Sequence, residues 1–98
     1  MVRRASRIDE NQKRIVRVLR QTGCRVCSTS AVGNGFPDLL VYRPAIDTLF
    51  MLELKDGSKA PSRRKLTPHQ VKFHEDWPVH VVESVEDALK VVGVYPSS

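Results

Sequence analysis

Ile8, Ile15, Val16 and Leu19 recur at helical spacing through a segment whose remaining positions are mostly polar, the pattern of a helix with one buried stripe. Ser6-Arg7-Ile8-Asp9 has capping-box-like spacing, with Asp in place of the usual Glu or Gln, and Gly23 supplies a stop. The pattern predicts a helix from about Arg7 to Gln21, with Arg14, Arg17 and Arg20 largely in water. Arg25 to Ala31 reads as a strand closed by the loop Gly33-Asn34-Gly35. Two β-rich runs follow, Asp38 to Arg43 and Thr48 to Lys55, and the Pro44-Ala45-Ile46-Asp47 between them predicts a hairpin with a four-residue turn. Thr67-Pro68 opens a second helix with a hydroxyl at the N-cap and proline at the first helical position, and Pro78 sets its far limit. His80 to Glu83 reads as a short strand. Ser84-Val85-Glu86-Asp87 starts a last helix over Val85 to Val92 that ends at Gly93.

The order is therefore α-β-β-β-α-β-α. Leu39, Val41, Phe50, Leu52 and Leu54 alternate onto one hairpin face, and Leu40, Tyr42, Leu49 and Met51 onto the other. A sheet apolar on both faces has to be covered on both, which predicts an α/β fold: an α-β-α sandwich around a mixed central sheet.

Ninety-eight residues hold one core, so a single domain over residues 1–98 is expected. A composition of 41% hydrophobic and 28% charged residues excludes disordered, collagen-like and disulfide-built chains. Sixteen Lys and Arg against eleven Asp and Glu leave +5, which points to a polyanionic partner. The excess lies in two places: residues 1–20, with Arg3, Arg4 and Arg7 forming an arm, and residues 55–65, with Lys59, Arg63, Arg64 and Lys65 in a basic loop. No run approaches the ~20 apolar residues of a membrane span. The first residues lack the apolar core of a signal peptide, so an intracellular chain without membrane partners is expected. Cys24 and Cys27 form a C-x-x-C, but no further cysteine or paired histidine completes a zinc site, and two semi-buried thiols are the simpler reading.

The hairpin carries the chemistry. If Pro44 to Asp47 is the turn, Arg43 pairs with Thr48, and stepping outward sets Asp38 opposite Glu53. Paired residues on antiparallel strands put their side chains on the same face with Cα atoms ~4.5–5.5 Å apart, and the period of two adds Lys55 to that face. Two facing carboxylates repel, and a hard divalent cation resolves the conflict, Mg²⁺ being suited to one or two carboxylates plus water and a phosphate oxygen. Alternatively Asp38 caps a strand end, and Glu53 and Lys55 form an ordinary surface pair. Gln70, Phe73 and Trp77 share one helix face, which turns an amide inward; the competing reading for Gln70 is a solvated glutamine at the helix start, and Phe73 and Trp77 are expected in the core rather than stacked on bases. Gly33, Gly35 and Pro37 shape the loop before Asp38, where Gly35 would admit a sugar-phosphate strand or simply make a turn.

At these residues the chain resembles the VRR-NUC family of the PD-(D/E)xK nuclease superfamily, in its virus-type standalone form. The resemblance runs through Gly33-Asn-Gly-Phe-Pro-Asp38, Glu53-Leu-Lys55, Leu66-Thr-Pro-His-Gln70 and Ser84-Val-Glu-Asp-Ala88. It implies a restriction-endonuclease-like fold and a Mg²⁺- or Mn²⁺-dependent DNA endonuclease that leaves a 5′-phosphate. Carried over by position, Asp38 and Glu53 match the metal-binding acids, the Leu54 carbonyl a further ligand, Lys55 the motif lysine and Gln70 the glutamine after the L-T-P turn. Glu10 matches an acid on the first helix, although at 100° per residue it points away from the Ile8 stripe, and an acid stabilised by the helix dipole explains it equally. Small size and the resemblance together imply a homodimer acting on branched DNA, four-way junctions included, in a host cytoplasm if the source is viral. A flap, nick or duplex nuclease and a non-catalytic nucleic-acid-binding module are the alternatives, and the acidic cluster speaks against the latter.

Overall fold

A computed structural model of the chain describes residues 10–55 and 65–94. Their order is α1 (Glu10–Gln21), β1 (Arg25–Ser28), β2 (Leu39–Arg43), a 3₁₀ turn at Pro44–Ile46, β3 (Thr48–Leu54), α2 (Pro68–Asp76), β4 (Val79–Val82) and α3 (Val85–Val92). The expected order of elements is observed. Arg3, Arg4, Arg7 and Ile8, and the loop cations Lys59, Arg63 and Arg64, lie outside the described residues.

The four strands lie in the order β1-β2-β3-β4, antiparallel across the first three and parallel between β3 and β4. The hairpin register runs from Arg43 opposite Thr48 to Leu39 opposite Leu52, as the turn position predicts. The turn closes through Asp47 in the left-handed conformation (φ 50°), and the Tyr42 hydroxyl donates to its carboxylate at 2.6 Å. β1 stops three residues short of Ala31 because the chain is diverted: the Thr29 amide donates to the Asp38 carbonyl at 2.8 Å and its hydroxyl to the Pro37 carbonyl at 2.7 Å. β4 begins and ends one residue earlier than expected.

Ile15 and Leu19 of α1, Leu39 and Val41 of β2, Leu52 of β3, Val82 of β4 and Ala88 and Val92 of α3 form the buried core. Each large aliphatic in it contributes about 1.5–3 kcal/mol on burial. α1 and α3 thus cover one face of the sheet. α3 is capped by the Ser84 hydroxyl, which accepts from the Asp87 amide at 3.1 Å, and ends at left-handed Gly93. Arg43 Nη1 donates to the Val92 carbonyl at 3.0 Å, a cation on the helix's negative end that ties it to the hairpin.

The opposite face carries the expected third layer of the α-β-α sandwich, the nine-residue helix α2, hydrogen-bonded to β3 and the residue after it through Gln70, and on that face Leu49 and Val81 are 60% and 44% exposed. Trp77, expected in the core, is 53% exposed because it sits at the C-cap of α2, where it stacks on Phe73 at 5.5 Å. Of the two thiols only Cys24 is buried; Cys27 lies exposed in β1. Among the described residues no helix is long and apolar enough to cross a membrane.

Candidate active site

Asp38, the residue before β2, and Glu53, near the end of β3, meet where the hairpin register continues one step past Leu39 and Leu52. Asp38 Oδ2 accepts the Leu54 amide at 2.8 Å, so the backbone of β3 orients that carboxylate. Glu53 is almost wholly buried, at 2% exposure. Its Oε2 accepts the Gln70 side-chain amide at 2.7 Å and lies 3.7 Å from the Lys55 ammonium. Its Oε1 is buried and has no hydrogen-bond partner among the described residues. Burial, then repulsion from Asp38, pushes the Glu53 carboxyl up to about 8, against the opposing pull of Lys55.

The third element comes from α2. Thr67 is its N-cap and Pro68 its first residue, as the sequence indicates, and Thr67-x-x-Gln70 forms a complete capping box. The Thr67 hydroxyl accepts the Gln70 amide at 3.2 Å, and Gln70 Oε1 accepts the Thr67 amide at 2.9 Å. The same Oε1 accepts the Lys55 ammonium at 3.2 Å, while Nε2 donates to Glu53. One glutamine therefore caps the helix and clamps both the acid and the amine.

The loop before Asp38 is held against this helix start. Gly35 has φ 84°, and a Cβ there would overlap the His69 carbonyl. The space the sequence reading gives to a sugar-phosphate strand is thus taken by the backbone of α2, and Gly35 is required for packing. Phe36 reinforces the contact edge-on to Phe73 at 5.3 Å.

Glu10 has a side chain 79% exposed and pairs with Lys13 at 3.4 Å, so the structure does not bring it to the carboxylate pair. The helix-dipole reading accounts for it. Lys65, two residues before the N-cap of α2, is exposed. His74, one turn beyond Gln70, was not singled out by the sequence. Its Nε2 is buried without a partner among the described residues, and burial together with the Lys55 charge lowers its pKa.

An orphaned buried carboxylate oxygen beside a second carboxylate is what a hard cation satisfies, so the donor set fits Mg²⁺ or Mn²⁺. Among the described residues no group of three or more His, Cys, Asp or Glu could hold a metal. A cation here would take two carboxylates and complete its shell with backbone oxygen, water and substrate.

No family model and no curated protein matches the chain. A solved structure described as "VRR_NUC domain" superposes with a TM-score of 0.61 and 30% sequence identity, covering 87% of this chain and 92% of its own. The chain belongs to the VRR-NUC family. That membership makes it a nuclease domain of the PD-(D/E)xK type, a family usually dependent on metal and acting on DNA. Pro37-Asp38 and Glu53-Leu54-Lys55 are the residues of this VRR-NUC chain that spell the pattern.

Proposed function

We propose that this VRR-NUC chain is a Mg²⁺- or Mn²⁺-dependent endonuclease that hydrolyses DNA phosphodiester bonds at the Asp38–Glu53–Lys55–Gln70 cluster. The observation that carries the reading is the unsatisfied Glu53 Oε1, buried next to Asp38 while Glu53 Oε2 is held by Gln70 and Asp38 Oδ2 by the Leu54 amide. Asp38, Glu53 and the Leu54 carbonyl would hold the cation. When bound, it supplies Lewis-acid polarisation of the phosphate and a more acidic water.

The protein groups do the rest. Lys55, fixed by Gln70 Oε1 and Glu53 Oε2, presents its ammonium to the attacking water and to charge accumulating on the phosphate. Gln70 holds Glu53 in one rotamer, so the carboxylate does not reorganise as charge develops. The Leu54 amide does the same for Asp38. Direct attack by water needs no covalent enzyme intermediate and leaves a 5′-phosphate.

Branched DNA and a homodimer are the finer parts of the proposal. A domain of this size offers a small footprint, and a twofold pair of sites suits a symmetric junction. The open sheet face bearing Leu49 and Val81 is the apolar surface such a pair would cover.

The test is cleavage of labelled four-way junction, flap and linear substrates at one salt concentration, with Mg²⁺, Mn²⁺ or EDTA. Metal-dependent product is expected, abolished by Glu53→Gln and Lys55→Ala. Wild-type cleavage by either variant, or binding with no metal-dependent product, would refute the assignment.

A further inference from the structure

Resting on that nuclease reading, we propose that a groove between α1 and β1, lined by Lys13, Arg17 and Arg20, is a track for the phosphate backbone of duplex DNA running away from the cleavage site.

The groove has a volume of about 640 Å³. Val16 and Ser28 also line it, and among the described residues no acidic side chain does. Lys13, Arg17 and Arg20 stand at i, i+4 and i+7, one face of α1. At 1.5 Å per residue they span about 10 Å, which with α1 lying along the duplex axis covers some three phosphates of one strand at about 3.4 Å of axis each.

Charge is sorted across the molecule. Glu75 and Asp76 end α2, and Glu83, Glu86 and Asp87 surround the start of α3, whereas Lys13, Arg14, Arg17 and Arg20 all lie on α1. Glu10 is the sole acid of α1. It meets Lys13 only in an exposed pair at 3.4 Å, the kind that a phosphate readily displaces. Arg20 is anchored in place, since its Nη2 donates to the Val26 carbonyl at 3.1 Å and leaves its other donors to the groove.

The groove lies on the α1 face of the sheet, opposite the face that carries Asp38 and Glu53, and the end of β1 is where the two come together. Ser28 lies in its wall, and the next residue, Thr29, donates its amide to the Asp38 carbonyl at 2.8 Å. A strand leaving the scissile phosphate past Asp38 would pass round β1, the edge strand among the described residues, to reach the three cations. Direct contact with bases is not part of this track, so it adds affinity without sequence preference.

The test measures affinity of the full-length chain for a labelled linear duplex in Ca²⁺ over a salt series. Compared are wild type, Lys13→Ala/Arg17→Ala, and Arg14→Ala/Lys90→Ala, which removes equal charge outside the groove. Arg20 is kept because it ties α1 to β1. Losing two phosphate contacts should lower the slope of log affinity against log salt by about 1.8, and weaken binding roughly 60-fold at 0.1 M salt. The off-groove pair should leave the slope within about 0.5 of wild type on the same scale. Thermal melts of all three proteins show whether a lost affinity is lost structure. Equal slopes for wild type and the groove variant, or equal losses in both double variants, overturn the track. If wild type still cleaves DNA in Mg²⁺, the nuclease reading survives that result. If wild type cleaves nothing in Mg²⁺ or Mn²⁺, the nuclease reading fails first and the track with it.

Discussion

Glu53 can hold a proton or share a cation, and the competition between them gives a sharp test of the site. With its pKa near 8, Glu53 is about one part in a hundred ionised at pH 6 and half ionised at pH 8. A cation must displace that proton, so the apparent Mg²⁺ dissociation constant should rise about tenfold per pH unit below 8. Without metal the sign on stability is set by the raised value. The folded chain keeps a proton that the unfolded chain, with an ordinary carboxyl at 4.5, has lost. Stability from this group is therefore full below about pH 4.5 and declines up to about pH 8, at about 1.4 kcal/mol per pH unit. Glu53→Gln keeps an acceptor for the Gln70 amide and carries no charge. It should flatten that profile, making the metal-free variant at least as stable as wild type at pH 8 while abolishing cleavage and Mg²⁺ stabilisation. The assay is calorimetric Mg²⁺ titration from pH 6 to 8 in buffers of different ionisation enthalpy, with thermal melts alongside. A dissociation constant that stays flat over this range, or metal uptake without proton release near pH 6, would refute the reasoning.

Gln70→Ala should lower melting stability by about 1–2 kcal/mol through the lost cap and cut cleavage at least tenfold, whereas Thr67→Ala should cost similar stability with a smaller loss of rate. Gly35→Ala, which overlaps the His69 carbonyl, should destabilise by more than the ~1–2 kcal/mol of a left-handed alanine. Gly33→Ala has an equally positive φ of 79° but open space around it, so it should cost no more than that, as denaturant melts would show. Leu52→Ala, at a fully buried position under the site, should lose about 2–5 kcal/mol in the same melts.

The carboxylate pair was legible because a hairpin with a defined turn leaves its register no freedom: a one-residue slip would turn Leu39, Val41 and Leu52 out of the core. The helix ends were legible for a similar reason, since Thr67-Pro68 and Gly93 carry local chemistry that acts within one turn. Gln70 is legible in part: its inward face follows from spacing, while the bond that makes it a cap becomes visible only in the structure. Coverage of the second sheet face depends on how far α2 reaches, which local pattern does not encode, so Trp77 was placed in the core. The packing role of Gly35 is not legible in the sequence, which leaves a sugar-phosphate strand and a plain turn open, because the approach of the His69 backbone is a tertiary event between residues 34 apart in number. His74 gave no signal, because a lone histidine in a helix acquires meaning only from what it is packed against.

Gln70 Oε1 receives both the Thr67 amide and the Lys55 ammonium, so winding the first turn of α2 and fixing the Lys55 ammonium are one event. A chain frayed at that turn is still folded elsewhere but has no aligned amine. Heating should therefore silence the nuclease several degrees before the core of the sheet gives way, making the helix start the molecule's thermal fuse.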